Sequence, residues 1–135
     1  MIKADVFTTN KNWKKFIRFP DLYINRRLKK IDKRTNLFKK NRCNFTLLLS
    51  GNTEIKKLNI KFRKKNKITD ILSFPFHEKK FLIKLLKKNN NKIYLGDIII
   101  NLNKIKQMEK NEHFKKSFDR IWVHGLVHLL GYRHK

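Results

Sequence analysis

Three histidines near the end of the chain have the spacing of a metal site. His124 and His128 are four residues apart in a segment of helical periodicity, so their imidazoles share one helix face and can converge on one ion. Gly131 can adopt the left-handed conformation that ends a helix, and the turn can carry His134 back to the same point. Three neutral imidazoles leave the fourth tetrahedral position open, so the pattern predicts one catalytic Zn²⁺.

The same spacing also matches the long zinc signature of the metzincin peptidases. That signature places a glutamate general base directly after the first histidine, where this chain has Gly125. A zinc metallopeptidase therefore stays only as the weaker alternative. Phosphodiester cleavage can draw more on metal, cationic and substrate groups for stabilising charge, so the missing glutamate counts more against a peptidase than against a nuclease.

The overall charge points to a polyanionic partner. The chain carries 35 Lys and Arg against 10 Asp and Glu, a formal net charge of +25. Such a surplus suits nucleic acid. About half of the residues are Lys, Asn, Ile or Phe, a composition that an AT-rich genome favours, so compositional drift is a second explanation for the excess. Charge alone thus indicates a class of partner, and the site residues must indicate the reaction.

Four separated blocks resemble the YbeY family of bacterial rRNA maturation endoribonucleases. They are His124 to His134, Leu58-Asn59 with Phe62-Arg63, Thr69-Asp70-Ile71-Leu72-Ser73-Phe74-Pro75, and Leu95-Gly96-Asp97-Ile98-Ile99. The resemblance covers roughly residues 44 to 134. It implies an α+β fold, one zinc ion and single-stranded RNA as substrate. It also implies maturation of the 3' end of 16S rRNA, ribosome quality control, and contact with components of the ribosome or its small subunit.

The resemblance also assigns a catalytic residue and exposes two departures. Arg63 matches the family's arginine in the groove beside the metal, where a planar guanidinium can contact an RNA phosphate or the transition state. Arg133 stands where the family usually has an aspartate, and the sequence ends at Lys135. Both departures are expected to weaken the metal site at His134. A non-catalytic protein that clamps RNA or a ribosomal surface by charge is therefore the main alternative function.

The basic stretch Arg63-Lys64-Lys65 closes a predicted helix just before the block that begins at Thr69. Because the resemblance puts this junction beside the metal, we expect RNA to lie in a groove running from the zinc toward these three residues. Recognition there should be largely electrostatic, since lysines contact phosphates as point charges and carry little base information.

Three polar residues inside apolar segments are expected to be structural. Asp70 and Asp97 should accept hydrogen bonds, because a buried carboxylate without partners is costly. Ser73 has neither a glycine elbow nor a base nearby, so it is interpreted as a strand residue.

The elements that must position these residues form a single α+β domain over residues 1–135, a mixed four-stranded sheet packed with helices. Strands are predicted near 2–8, 45–50, 70–75 and 94–100, and the metal site lies on the C-terminal helix and the turn after it. Other helices are predicted near Trp13, from about 21 to 38, after a cap at Asn52 or Thr53, within 81–86, and after a cap at Asn101 or Asn103. Pro75 suggests an edge position for its strand, and Gly96 suggests a bulge.

The compartment can also be predicted. The lone Cys43 excludes an internal disulfide and indicates a reducing environment. Met1 to Phe7 lacks the apolar core of a signal peptide, and no apolar run approaches the roughly 18 residues of a membrane span. We expect a cytoplasmic protein without a membrane segment, and the sequence leaves its oligomeric state open.

Overall fold

A mixed four-stranded sheet forms the centre of the chain in the computed structural model, which describes residues 1–108 and 113–132. The strands are β1 (Ile2–Thr8), β2 (Arg42–Ser50), β3 (Ile71–Pro75) and β4 (Lys92–Asn101), and they lie in the order β1-β2-β4-β3. β1, β2 and β4 are parallel, while β3 runs antiparallel to β4. All four predicted strands and the α+β class are confirmed, and β3 lies at an edge as Pro75 indicated.

Helices cover both faces of this sheet. Within the described residues they are α1 (Pro20–Arg34), α2 (Asn52–Arg63), α3 (Lys79–Lys87), α4 (Leu102–Met108) and α5 (Phe114–Leu129), with a short 3-10 helix at Lys11–Lys15. α1 contacts β1 and α5 contacts β3 and β4, and the main core lies between these helices and the sheet. A second, small cluster of Ile55, Leu72 and Ile99 lies under α2. In the part of the chain described, none of the helices combines the length and apolar character needed to cross a bilayer.

Period-two alternation in the strands decides which side chains enter each core. Phe45, Leu47 and Leu49 of β2 are fully buried in the main core, whereas the intervening Leu48 packs against the cluster under α2. The sheet is therefore apolar on both faces near its centre. This arrangement is typical of parallel strands with helices on both sides.

The predicted end of one helix was wrong. The helix predicted from about 21 to 38 begins at Pro20, close to the predicted start, and ends at Arg34. Pro20 suits the first position of a helix, because a proline there gives up an N–H that has no partner inside the helix. Phe38 is buried beyond the end of the helix, so its apolar character reflects the core and not helical periodicity.

The predicted cap of α2 was also wrong. The N-cap residue is Gly51, which has no side chain to offer, and the helix already includes Asn52 and Thr53. The N–H of Asn52 donates instead to Oδ1 of Asn103, at 3.3 Å. For α4, by contrast, the predicted cap is confirmed, since Oδ1 of Asn101 accepts from the N–H of Asn103 at 3.0 Å.

Gly96 lies in β4, opposite Pro75 of β3. The register between β2 and β4 shifts here, so the predicted bulge is confirmed. Gly96 has φ +135°, and a Cβ at this position would lie 2.2 Å from the backbone oxygen of Phe74. Only glycine fits both the conformation and the space, so Gly96 allows the antiparallel edge strand β3 to pair with β4.

Candidate active site

Helix α5 presents the first two predicted metal ligands. One apolar face of this helix is buried: Phe118, Ile121, Trp122, Leu126 and Leu129. His124 is exposed and His128, one helical turn later, is half-buried. Anchoring of one face of α5 in the core thus fixes the direction in which this pair of imidazoles leaves the helix.

The chain turns sharply directly after α5. Gly131 has φ +96° and its N–H donates to the backbone oxygen of His128 at 3.0 Å. A Cβ on Gly131 would lie 2.6 Å from Cβ of Lys79, so both conformation and space require glycine. The predicted glycine turn is confirmed. The ring of Tyr132 then lies under the ammonium group of Lys79, with 4.3 Å from Nζ to the ring centroid.

The third predicted ligand cannot be placed in this way. His134, together with Arg133 and Lys135, lies outside the described residues. Within residues 1–108 and 113–132, no three His, Cys, Asp or Glu side chains lie close enough together to hold a metal ion. Since the predicted set needs His134, the three-histidine site stays a prediction that two described residues and the glycine turn support.

A cleft of about 720 Å³ opens beside the end of α5. Its walls come from the end of α2, from β3 and the segment after it, from the start of α3, and from the end of α5. The lining residues are Arg63, Ser73, Phe74, Pro75, Phe76, His77, Glu78, Lys79, His128 and Gly131. Two predicted site residues that lie far apart in the sequence, Arg63 and His128, therefore line one cleft, while His124 lies outside its lining.

Arg63 is the last residue of α2 and is held by β3. Its Nη2 donates to the backbone oxygen of Ser73 at 3.0 Å, and its Cζ lies 5.3 Å from the ring centroid of Phe74. The backbone of Asp70 and of Phe76 bonds toward β4, so alternation along the strand turns the Ser73 carbonyl outward at the sheet edge. An edge strand thus supplies the acceptor that orients the guanidinium in the cleft.

Ser73 and Gly125 join β3 to α5 behind the cleft. The Ser73 hydroxyl is buried and donates to the backbone oxygen of Gly125 at 3.2 Å. A Cβ on Gly125 would lie 2.9 Å from Cδ1 of Ile71 and 3.1 Å from Cγ2 of Ile98. The structural role predicted for Ser73 is confirmed. The close approach of α5 to the sheet at Gly125 was not predicted, because a glycine within a helical pattern does not reveal what packs against it.

Comparison with known proteins decides the family. The family model described as endoribonuclease YbeY matches residues 8–135. The chain belongs to the YbeY family. The resemblance seen in the sequence blocks is thereby confirmed, and so is the prediction of an enzyme that is a hydrolytic endonuclease.

Individual relatives cover this chain to different extents. The endoribonuclease YbeY of Pelagibacter ubique is 46% identical over 137 residues, which cover 99% of this chain and 84% of that protein. That of Thermodesulfovibrio yellowstonii is 40% identical over 92 residues, or 67% of this chain and 53% of that protein. A solution structure from Thermotoga maritima is similar in fold, with a TM-score of 0.57 at 26% identity over 100% of this chain and 75% of that one.

The blocks of the YbeY resemblance meet around the cleft. Leu58 to Arg63 form the last turns of α2, Thr69 to Pro75 include β3, and Leu95 to Ile99 lie in β4, next to β3 in the sheet. These segments lie far apart in the sequence from α5, and only the fold brings α2, β3 and α5 to one place.

The two acids of the YbeY blocks have the hydrogen bonds expected of structural residues. Oδ1 of Asp70 accepts from the Thr69 hydroxyl at 3.3 Å, and Oδ1 of Asp97 accepts from the Tyr94 hydroxyl. Burial and then the hydrogen bond to Asp97 raise the pKa of Tyr94 to about 12. Neither acid lines the cleft, so the prediction of hydrogen-bonded, structural carboxylates is confirmed.

Four lining residues had no predicted role. Phe76, His77, Glu78 and Lys79 follow β3 directly and lead into α3, between the strand predicted near 70–75 and the helix predicted within 81–86. The available signal was their position directly after the Thr69 to Pro75 block. Their chemistry adds two rings, one carboxylate and one ammonium group to a wall of the cleft.

Proposed function

We propose that residues 1–135 form one zinc-dependent endoribonuclease domain that cuts single-stranded RNA in this cleft and takes part in rRNA maturation in the bacterial cytoplasm. The observation that carries the proposal is that Arg63 and His128 line the same cleft. Membership in the YbeY family supports an RNA substrate. The finer role, maturation of the 3' end of 16S rRNA and ribosome quality control with small-subunit partners, rests on the family resemblance.

One Zn²⁺ would be held by His124, His128 and His134. The donor set fits, because His124 and His128 leave one helix a single turn apart and Gly131 redirects the chain directly afterwards. Neutral imidazoles are common zinc ligands, and three of them leave a position for water. When bound, the ion would supply Lewis acidity and lower the pKa of a bound water.

Arg63 would stabilise the negative charge that develops on the reacting phosphate. Its guanidinium is oriented before RNA arrives, by the Ser73 carbonyl and the Phe74 ring. A donor that is already oriented needs no reorganisation as charge develops, which is why such groups act strongly on the transition state. The planar fork can also grip two phosphate oxygens at once.

Nearby lysines would hold the RNA backbone. Lys64 and Lys65 are exposed directly after Arg63, and Lys79 lines the cleft itself. Exposed ammonium groups contact phosphates without reading bases, so affinity should depend strongly on salt and weakly on sequence.

A non-catalytic RNA or ribosome binder is the alternative that a specific residue favours. Arg133 replaces the aspartate usual in the family beside the third histidine, and a cation there disfavours metal binding. A zinc metallopeptidase is less favoured. The position of its glutamate base is Gly125, which is packed against Ile71 and Ile98.

The discriminating experiment measures metal and cleavage together. Purified protein is analysed for zinc, loaded with it, and incubated with end-labelled single-stranded RNA, duplex RNA and casein, beside a His128→Ala variant. The proposal expects one zinc per chain and cleavage of single-stranded RNA that His128→Ala and a chelator both abolish. RNA binding without metal-dependent cleavage would support the binder, and cleavage of casein would support the peptidase.

A further inference from the structure

Several aromatic rings around the cleft are exposed. Phe62, Phe76 and Phe81 have 59%, 65% and 54% of their surface accessible. Large apolar side chains exposed in a cluster mark a binding surface more often than scattered ones do. These three lie on α2, directly after β3 and on α3, the elements that form the walls of the cleft.

The ring contacts form two groups. Phe62 contacts Phe74 with ring centroids 5.8 Å apart, Phe76 contacts His77 at 4.9 Å, and His77 contacts Phe81 at 5.4 Å. Phe74 lies on β3 and Phe76 follows this strand directly, with its N–H bonded to the backbone oxygen of Leu95 at 3.1 Å, so the two groups are neighbours along the chain. We call Phe62, Phe74, Phe76, His77 and Phe81 the aromatic row.

Cations lie beside these rings. Cζ of Arg63 lies 5.3 Å from the ring centroid of Phe74, and Nζ of Lys61 lies 5.3 Å from that of Phe62. Lys79 lines the cleft next to the segment that carries Phe76. Rings alternating with cations are the combination with which proteins bind single-stranded nucleic acid: the rings stack on bases and the cations contact the backbone.

We infer that the aromatic row stacks unpaired bases next to the scissile phosphate, with Phe76 as the main stacking residue, and that this stacking selects single-stranded over duplex RNA. In a duplex both faces of each base are already stacked on its neighbours, so a protein ring can reach a base only after it is unstacked. The inference rests on the proposed cleavage of RNA in the cleft and adds the determinant of strand selection. Phe76 is a specificity residue here, since its ring contacts a base and not the reacting atoms.

Phe76 is the residue to test because it is the most exposed of the row. Its ring also makes a T-shaped contact with the ring of Tyr94, with the two centroids 5.5 Å apart, and stays exposed. If the ring served only packing, its removal would lower stability and leave strand preference unchanged. A stacking role predicts that removal of the ring changes the preference for single-stranded RNA and leaves stability nearly unchanged.

The chain offers a matched control. Phe7 is 56% exposed on β1, at the edge of the sheet opposite to β3. The experiment compares Phe76→Ala, Phe76→Trp and Phe7→Ala for binding to a single-stranded oligoribonucleotide of about ten nucleotides that carries 2-aminopurine, a length within the usual range of single-strand sites. A hairpin of the same composition is the duplex probe, and 2-aminopurine fluorescence, which stacking quenches, is the spectroscopic readout.

Phe76→Ala should weaken binding of the single strand about 5- to 100-fold, the effect of losing one base–aromatic stack. It should also abolish the quenching, and binding of the hairpin should change no more than in Phe7→Ala. Phe76→Trp should restore both affinity and quenching. The inference is overturned if Phe76→Ala behaves like Phe7→Ala, if it weakens single strand and hairpin equally, or if only its melting temperature falls.

Binding and quenching are measured in His128→Ala as well as in the parent protein, so the two proposals can fail separately. Quenching without any cleavage by the parent would reject the proposed nuclease and retain the stacking surface. Cleavage by the parent with no difference between Phe76→Ala and Phe7→Ala would reject the stacking surface alone.

Discussion

Two of the basic clefts among the described residues differ in what accompanies the charge. The first is the cleft of about 720 Å³ beside His128. The second, of about 350 Å³, lies between α1 and the start of α5, and its lining is Ile17, Arg18, Phe19, Leu22, Tyr23, Arg26, Arg27, Lys30 and Lys115. The second cleft has more cations, but the first has His77 and His128. Charge therefore cannot locate the chemistry in a chain of net charge +25.

The clefts also differ in how their arginines are bound. In the α1 cleft Nε of Arg27 lies 3.3 Å from Oδ1 of Asp119, and the same carboxylate accepts hydrogen bonds from Tyr23 and Trp122. This network joins α1 to α5 and partly neutralises Arg27. Arg63 instead donates to a neutral carbonyl, and among the described residues no carboxylate lies within ion-pair distance of its guanidinium. An arginine oriented by a carbonyl can still pair with a phosphate, whereas the ion pair of Arg27 joins two helices.

The largest difference between the clefts should appear on removal of an imidazole. His128→Ala should lower cleavage of single-stranded RNA by roughly 100-fold or more, since even changes to the partners of metal ligands cost 10–100-fold in metal affinity or activity. Arg26→Ala, an exposed change in the α1 cleft, should leave the rate near that of the parent. Zinc content and initial rates measure both. Equal losses in the two variants would remove the distinction between the clefts.

The next largest difference is expected between the cleavage rates of Arg63 and Arg26 variants, one arginine from each cleft. Arg63→Ala should lower kcat by about 10²- to 10³-fold, the typical effect of removing an oriented donor to a developing negative charge, and should change RNA affinity much less. Arg63→Lys keeps the positive charge but loses the planar guanidinium, so relative to Arg63→Ala it should restore RNA affinity more than kcat. Single-turnover kinetics measure the cleavage rates of the Arg63 variants, with Arg26→Ala as the control. An Arg63→Ala protein that cuts at the parent rate would end the assignment of Arg63 as catalytic.

Smaller effects should come from lysines. Lys64→Ala and Lys65→Ala should each weaken binding and reduce the magnitude of the log affinity against log salt slope by about 0.7, the value for one single-strand phosphate. Lys30→Ala in the α1 cleft should leave the slope unchanged. Fluorescence anisotropy at several salt concentrations measures this. A change of the same size for Lys30→Ala would mean that RNA contacts both clefts and that charge alone determines the binding path.

The smallest effect concerns the junction at the α1 cleft. Burial, followed by the hydrogen bond to Asp119, raises the pKa of Tyr23 from 10.0 to about 12. The folded chain keeps this proton where the unfolded chain loses it, so the stability it contributes is present below pH 10 and falls as the pH rises toward 12. Tyr23→Phe should cost about 1 kcal/mol at neutral pH through the lost hydrogen bonds and should make the alkaline loss less steep.

Urea unfolding of Tyr23→Phe at neutral and alkaline pH measures that change. Some alkaline loss should persist, because burial also raises the pKa of Cys43 to about 11. RNA cleavage at neutral pH should match the parent. A Tyr23→Phe protein whose stability falls as steeply as that of the parent above pH 10 would show that the junction does not bind this proton.

Features set by neighbouring residues were predictable from sequence. The four strands, the helix that carries His124 and His128 and the turn at Gly131 depend on local patterns, and each was found where the sequence placed it. Features that depend on distant residues were not. The cap of α2 comes from Asn103, and the acceptor that orients Arg63 belongs to Ser73, so neither is encoded in the sequence around the residue it serves.

The aromatic row shows the same limit. Phe62 had the spacing of a core residue on α2 but is 59% exposed. α2 packs on β3 and β4, and the small cluster under it includes Ile55 and Leu58 but not Phe62. Periodicity identifies the apolar face of a helix, but only the fold decides how much of that face is covered.

The packing at Gly125 has a consequence for the chemistry that this chain could acquire by substitution. Any side chain at this position would begin with its Cβ 2.9 Å from Cδ1 of Ile71 and 3.1 Å from Cγ2 of Ile98, so both isoleucines would have to shift. A glutamate there would start from apolar surroundings, where a charged carboxylate is costly without partners. The glutamate base of the metzincin signature would therefore need a change in the packing of α5 on the sheet as well as a new side chain.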